Sequence, residues 1–388
     1  MIPIAYNVHS LAARRSTTIA AALGIALVVF VFAAVLMLAN GVEQTMRATG
    51  SPLNAIILRK GSQAEMQSGI EENAVGVLRA SPEAAPAGSG TMSTAEVVVI
   101  ITASAAGTKG GVSNAVVRGV MPESFMLRQQ LQIIEGRNFT PGSDEVIVGR
   151  GIASRLADVG VGRELALKRN RPVKIVGVFS ADNSSFESEI WGDLNSIRAI
   201  FNRQGAVSSV TLRLKNASLF EDLRRRIASD PRLGLEVKRE PTYYDEQSQG
   251  LSVFIKTLGL VIAIFFSVGA MIGAMITMYA QVAQRSREIG TLRALGFRRS
   301  RVLLSFLLEA ILLSLIGGAL GIVGALGMSF VHFSTVNFQS FSELVFRFTP
   351  SPGILIGSLL FASIMGLLGG LFPAVRASRV SPVAAMRD

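Results

Sequence analysis

The apolar residues of this chain concentrate in four long blocks that are almost free of charge. A helix needs about 20 mostly apolar residues to cross a bilayer. Each block is long enough, and the third carries a single acidic residue, Glu309. The pattern therefore predicts four transmembrane helices, at Thr18–Ala39, Thr257–Ala280, Val302–Val331 and Gly353–Val375.

Residues 41–250, between the first two blocks, mix short alternating runs with runs of helical spacing. The alternating and β-branched runs predict strands, at Ala55–Arg59, Glu96–Thr102, Ala115–Val120, Glu145–Val148, Glu164–Leu167, Val173–Phe179, Ser209–Leu214 and Leu235–Lys238. The helical spacing predicts helices, at Ile70–Arg79, Gly149–Leu156, Leu194–Phe201 and Leu219–Ser229. This mixture indicates an α+β domain of two subdomains, the second within about residues 122–206. Trp191, the only tryptophan, is expected in its core.

The helices that flank this domain are predicted to be longer than a membrane requires. Residues 16–50 contain no proline and end at a Gly-Ser-Pro stop signal. Residues 242–281 open with Thr242 and Asp245, which are spaced as in a capping box. At 1.5 Å per residue the two helices are about 50 and 60 Å long, against a bilayer core of about 30 Å. We therefore predict that both continue outside the membrane as a stalk, with breaks at Gly41 or Gly250 as the alternative.

Composition agrees with a membrane protein, since 49% of the residues are hydrophobic and only 17% are charged. The net charge of +11 invites a nucleic-acid interpretation. However, eleven arginines and only two acidic residues lie before the first span, between the second and third, and after the fourth. Such an asymmetry places these segments in the cytoplasm. The charge is thus a topology signal, and we expect a lipid bilayer rather than nucleic acid as the partner.

The sequence offers little for catalysis. It has no cysteine and only two histidines, His9 and His332, so a thiolate or His-rich metal site is excluded. No phosphate-binding loop of the Gly-x-x-x-x-Gly-Lys-Ser/Thr type occurs. The carboxylate pairs Glu71–Glu72 and Asp144–Glu145 lie in polar surroundings that are typical of a surface. We therefore expect a chain that is not an enzyme and that binds no cofactor.

The basic segment between the second and third spans is the most informative part of the chain. If residues 284–299 form a helix, Ile289, Leu292, Leu295 and Phe297 gather on one side while the charged residues reach water. Gly296 is placed to end this helix. An amphipathic helix of this kind can insert into a partner's groove; the alternative is a basic loop resting on lipid headgroups. Glu309 is predicted to pair with Arg298 or Arg301 near the cytoplasmic interface.

Three stretches carry a family resemblance: Arg287-Glu288-Ile289-Gly290-x-Leu292-Arg293-Ala294-Leu295-Gly296, Gly369-Gly370-x-x-Pro373-Ala374-x-Arg376-Ala377-x-Arg379-x-x-Pro382, and Asn7 through Arg14-Arg15 to Leu23-Gly24-Ile25. They resemble the coupling helix, the closing motif and the first span of the FtsX-like, MacB-type ABC transporter permeases. Asp144–Gly149 and Val173–Phe179 are similar to parts of that family's periplasmic domain. The chain departs from MacB in lacking the nucleotide-binding domain and in ending with Ala385-Met386-Arg387 rather than Ala-Leu-Arg.

The resemblance implies a stand-alone permease subunit in the bacterial inner membrane, with both termini cytoplasmic. It implies a dimer with a second copy of the chain, built on the first two spans, and a separate ABC ATPase subunit that binds ATP and Mg. The residues implied in coupling to this ATPase are Arg287, Glu288, Ile289, Gly290, Leu292, Arg293, Leu295 and Gly296.

The implied function is mechanotransmission: motion of the ATPase passes through the stalk to a periplasmic domain with Porter- and Sabre-like subdomains. The expected activity is export of a hydrophobic or amphipathic substrate, in a tripartite assembly with a membrane-fusion protein and an outer-membrane channel. The alternatives are extraction of lipids or lipoproteins and regulation of a cell-wall hydrolase. A receptor without an ATPase is disfavoured by the three C-terminal spans. The predicted segments are 1–15, 16–50, 51–241, 242–281, 282–301, 302–331, 332–352, 353–375 and 376–388.

Overall fold

The structure, a computed structural model, describes residues 15–88, 90–106, 111–153, 155–157, 159–337 and 343–381. The approach helix predicted over residues 1–15 lies outside the described residues except for its last residue. Pro382, which closes the C-terminal motif, and the rest of the predicted tail after it also lie outside the described residues.

Ten α-helices occur in the described part of the chain: α1 (Arg15–Arg47), α2 (Glu72–Arg79), α3 (Glu123–Leu127), α4 (Arg150–Ala153), α5 (Leu194–Phe201), α6 (Phe220–Ala228), α7 (Glu240–Gln284), α8 (Ser286–Ala294), α9 (Arg299–Gly327) and α10 (Pro352–Ser378). Of these, α1, α7, α9 and α10 are long and apolar enough to cross a bilayer. The four predicted spans are therefore confirmed as helices.

The strands are β1 (Asn54–Arg59), β2 (Ile70–Glu71), β3 (Pro86–Ala87), β4 (Gly90–Thr91), β5 (Ser93–Ser104), β6 (Val112–Val120), β7 (Gln132–Gly136), β8 (Glu145–Gly149), β9 (Glu164–Lys168), β10 (Arg171–Ser180), β11 (Glu189–Asp193), β12 (Ala206–Val207), β13 (Ser209–Arg213), β14 (Leu235–Arg239), β15 (His332–Val336) and β16 (Glu343–Arg347). Ten of them form one sheet in the order β14-β1-β13-β5-β6-β11-β8-β10-β7, with β9 on β10. The large mixed domain predicted between the first two spans is thus confirmed.

Strand β5 joins the two halves of this sheet. Its residues 93–96 pair with β13, whereas residues 97–104 pair with β6. One strand therefore contributes hydrogen bonds to both halves, which share a continuous apolar core. The limits of 122–206 for a second subdomain remain a prediction.

The chain divides into two compact units. One, which we call the helix unit, contains α1 up to Asn40, residues Val253–Val331 and the chain from Phe348. The other, the core domain, contains Gly41–Ser252 together with His332–Arg347. The segment between α9 and α10, predicted as a short loop over 332–352, therefore forms the hairpin β15–β16 and belongs to the core domain.

Helices α1 and α7 are continuous through Gly41 and Gly250, as predicted, and contain 33 and 45 residues. At 1.5 Å per residue they measure about 50 and 68 Å, well beyond the bilayer core. The predicted start of α7 at Thr242 is wrong, since the helix begins at Glu240. Pro241 is tolerated there because the amide hydrogens of a first helical turn have no partner within the helix.

Candidate coupling site

Helix α8 occupies the position at which the sequence predicts a coupling helix. Helix α7 ends at Gln284, and Arg285 leaves the helical path with φ −100° and ψ 14° before α8 begins at Ser286. An acidic residue, Glu288, lies in the first turn of α8 and a basic residue, Arg293, in its last turn. Both charges complement the helix dipole, so this short helix is stabilised at each end.

The end of α8 follows a Schellman motif, which confirms the predicted stop at Gly296. The amide of Gly296 donates to the carbonyl of Arg293 and that of Phe297 to the carbonyl of Leu292, both at 3.2 Å. Gly296 has φ +91°, a conformation that side chains other than hydrogen disfavour. The chain then turns at Arg298 into α9.

The inner face of α8 is fixed in the helix unit. Ile289 is 1% exposed and Gly290 is also buried. Ile289 lies in an apolar cluster whose other members come from α7, α9 and α10, namely Met278, Val282, Val302, Phe306, Ala310, Ala374 and Ala377. The position of α8 is therefore tied to three of the four long helices.

The outer face carries an exposed leucine. Leu295, directly after α8, is 73% exposed, while Leu292 is half-buried. The prediction that Ile289, Leu292 and Leu295 share one face is therefore wrong. At about 100° per residue, a spacing of three residues turns each side chain by about 60° from the one before. The row of apolar residues Ile289, Leu292 and Leu295 therefore winds from the buried side of α8 to its exposed side.

The predicted charged residues of this segment divide in the same way. Arg287 and Glu288 are exposed, as expected, whereas Arg293 is half-buried rather than fully in water. Ile289, Gly290 and Arg293 are therefore turned toward the long helices of the helix unit. Arg287, Glu288 and Leu295 remain accessible.

Sequence reasoning missed Arg285 and assigned the wrong partner to Glu309. The ion pair of Glu309 is with Arg285, whose Nη1 donates to Glu309 Oε2 at 3.0 Å. The predicted partners, Arg301 and Arg298, are eight and eleven residues before Glu309 and so about 12 Å or more away along the helix axis, beyond the range in which helical side chains pair. Arg285 comes from the end of the preceding long helix, where it is the first basic residue after an uncharged span.

A second set of contacts lies in the core domain, where the ends of α1 and α7 meet. Oε2 of Glu240, the first residue of α7, accepts hydrogen bonds from Ser51 N at 2.9 Å and Asn54 Nδ2 at 2.8 Å. A Cβ at Gly50 would lie 2.7 Å from the Pro241 nitrogen, so only glycine fits this approach. The two stalk ends are thus fastened to each other within the core domain.

A buried charge network lies in the core domain near the residue at which β5 passes from one half-sheet to the other. Arg118, on β6, forms two hydrogen bonds to Glu65, two to Glu189 and one to Glu96. Arg128 binds Glu96 as well and lies 3.9 Å from Glu240. Charges this deep remain ionised only where they are paired and hydrogen-bonded.

The network shifts the pKa of Glu96 strongly. Burial alone would raise the pKa of this carboxyl group, but the adjacent Arg128 and Arg118 outweigh burial and lower it to about 2. Trp191 completes the surroundings, since its indole nitrogen donates to Glu189 at 2.8 Å. As predicted, Trp191 is a fully buried core residue.

The chain matches two protein-family models. A family model for the MacB-like periplasmic core domain matches residues 18–230, and one for the FtsX-like permease C-terminal region matches residues 260–382. The chain belongs to the MacB/FtsX family of ABC transporter permeases. It is accordingly a multi-pass membrane protein with a periplasmic-type core domain.

Individual relatives agree with this family assignment. The permease is 29% identical, over 70% of its length, to the macrolide export ATP-binding/permease protein MacB of Burkholderia thailandensis, and the match spans 43% of that protein. It is 28% identical, over 71% of its length, to the ABC transporter permease YknZ of Bacillus subtilis, of which the match spans 70%. The extracellular domain of a YknZ from Gram-positive bacteria matches 48% of this permease and 99% of that domain, with 16% identity and a TM-score of 0.36.

Proposed function

We propose that this permease is the membrane subunit of an ABC exporter in the bacterial inner membrane, with both termini in the cytoplasm. A partner ATPase, which carries the ATP and Mg, docks on α8, and its motion is passed through α1 and α7 to the periplasmic core domain. The observation that carries this proposal is that α8 is buried on one side and is followed directly by an exposed leucine. Ile289 holds the helix in the permease, and Leu295 remains 73% exposed for a partner.

An exposed leucine at the end of a fixed helix suits a groove in a partner protein. Apolar anchors that fill such a pocket contribute much of the binding free energy of an interface. The MacB-like match over residues 18–230, which covers α1 and most of the core domain, supports export rather than signalling. We propose a hydrophobic or amphipathic substrate, handled outside the membrane together with a membrane-fusion protein and an outer-membrane channel.

We also propose that the permease functions as a dimer with a second copy. A groove of about 460 Å³ between α1 and α7 is lined by small or apolar residues, among them Gly24, Gly269 and Gly273. A Cβ added at any of these three glycines would meet no atom within 4 Å. Small residues at such a surface allow a further helix to approach closely in a membrane.

The first test is purification of the tagged permease from its native membrane, followed by the variant Leu295→Asp. The unmodified permease should bring a P-loop ATPase with it and stimulate that enzyme. A charge at residue 295 should weaken the interface by about 2 kcal/mol or more, which is about thirtyfold in affinity. ATPase recovery and ATP hydrolysis are the readouts.

The matched control is Val112→Asp, because Val112 lies in the core domain and is 72% exposed. It should leave ATPase recovery unchanged. Failure to recover any ATPase with the unmodified permease, in conditions that preserve a known ABC complex, would contradict the proposal. Equal recovery with Leu295→Asp would contradict the docking site. An adaptor among the recovered proteins supports tripartite export, and its absence would favour lipid or lipoprotein extraction.

A further inference from the structure

We propose that Arg285 is a positioning residue that transmits displacement of α8 to the third span, α9, through its ion pair with Glu309. This inference rests on the proposed function, because it concerns how motion leaves the docking helix. It adds a residue that is not among the predicted coupling residues, and a route through α9 that is separate from the stalk helices.

The guanidinium of Arg285 bridges two elements. Its Nη1 donates to Glu309 Oε2 on α9 at 3.0 Å, and its Nε donates to Glu288 Oε2 on α8 at 3.2 Å. Its central carbon lies 5.1 Å from the centre of the Phe306 ring, also on α9. One side chain thus connects the first turn of the docking helix to two positions on the third span.

The backbone places this bridge where α7 gives way to α8. Arg285 itself leaves the helical path, yet its amide donates to the carbonyl of Gln281 at 3.0 Å and its carbonyl accepts from Ile289 at 2.9 Å. The orientation of α8 relative to α7 therefore depends on the residue that also holds α9. A displacement of α8 pulls on Glu309 directly.

The buried Arg285–Glu309 ion pair is better explained as a device that positions α8 and α9 than as a source of stability. The side chains of Arg285 and Glu309 are both only 5% exposed. Removing two such charges from water is costly, and apolar residues of similar volume would stabilise the site as well. The planar guanidinium instead fixes direction, because its hydrogen bonds and its contact with the Phe306 ring hold it in one orientation.

The test uses the full permease with its co-purified ATPase, and compares buried with exposed members of the same residue types. Arg285→Met and Glu309→Gln should retain ATPase recovery but reduce stimulation of ATP hydrolysis by roughly fivefold or more, as expected for loss of coupling between sites. The matched controls are Arg224→Met and Glu221→Gln, since these two residues form an exposed ion pair on α6 in the core domain, away from the docking helix. Both controls should stay within about twofold of the parent.

The exchange variant Arg285→Glu/Glu309→Arg separates positioning from a general structural role. Recovery of stimulation above either single exchange supports the direct pair, because the same two positions again carry opposite charges. Full stimulation by Arg285→Met, or an assembled exchange variant without recovery, would overturn the proposal. Should Arg285→Met fail to accumulate, the near-isosteric Glu309→Gln decides the question. Loss of ATPase recovery by the unmodified permease would refute the proposed function instead.

Discussion

Arg118 illustrates the residue scale, because one guanidinium holds parts of the core domain that are distant along the chain. Its carboxylate partners lie on β5, on β11 and in the segment after β1. A buried pair adds little net stability when complete, but loss of one partner leaves a carboxylate buried without its cation. The free-energy cost of replacing Arg118 therefore depends on the carboxylates that remain buried without their cation.

We predict that Arg118→Met destabilises the core domain by about 3 to 5 kcal/mol. The control is Arg137→Met, which removes an exposed arginine paired with Glu145 at the surface and should cost about 0 to 1 kcal/mol. Trp191 is the only tryptophan and lies in the network, so its fluorescence during urea unfolding reports this domain in the full chain. Similar unfolding curves for the two variants would contradict the prediction.

The lowered pKa of Glu96 predicts a dependence of stability on pH. A carboxyl group whose pKa falls to about 2 on folding, from an ordinary value of 4.5, stabilises the fold fully above the ordinary value. This contribution is lost as pH falls from about 4.5 toward 2, because protonation then breaks the bonds to Arg128 and Arg118. The unfolding midpoint followed by Trp191 fluorescence should fall less steeply in Glu96→Gln than in the parent over this range. Parallel pH profiles would rule out Glu96 as the source.

At the scale of elements, the sequence predicted those parts whose pattern is local. All eight predicted strands are present, and the lengths of α1 and α7 follow from the absence of internal breaks. Strand β11 is not among the predicted strands because its buried residues include Glu189, whose charge is neutralised by Arg118 on β6. That strand is the neighbour of β11 in the sheet but is distant from it along the chain. The partner of Glu309 was missed for the same reason. Ion pairs between elements that are distant in sequence leave no periodic signal.

The hairpin β15–β16 is the element least expected from the sequence, since it is fastened to the core domain. Leu344 and Phe346 are buried, and Val345 N donates to Ser188 Oγ at 3.0 Å. Glu343 pairs with Arg155 at 3.3 Å. The link between α9 and α10 is therefore a structural part of the core domain.

We predict that Phe346→Ala destabilises the core domain by about 3 to 5 kcal/mol, the usual cost of deleting a buried aromatic side chain. Val336→Ala is the control, because Val336 lies on the other strand of the same hairpin, is exposed and is paired with Glu343 rather than with Phe346. It should change stability by about 0.5 kcal/mol or less. Thermal unfolding followed by Trp191 fluorescence measures both, and an equal effect of the two would show that the hairpin is not part of the folded core.

At the scale of the whole molecule, the glycines of α7 allow the proposed dimer to be tested. Gly269 and Gly273 are four residues apart and so lie on one face of the helix, where both border the groove next to α1. A second permease that uses this groove needs close helix contact, so a large side chain at residue 273 should block the dimer contact.

We predict that Gly273→Leu converts a dimer to a monomer in light scattering of the detergent-purified permease. Gly357→Leu on α10, where an added Cβ also meets no atom within 4 Å, should leave the dimer intact. If Gly273→Leu stays dimeric while Gly357→Leu dissociates, the interface belongs to the face of α10 instead.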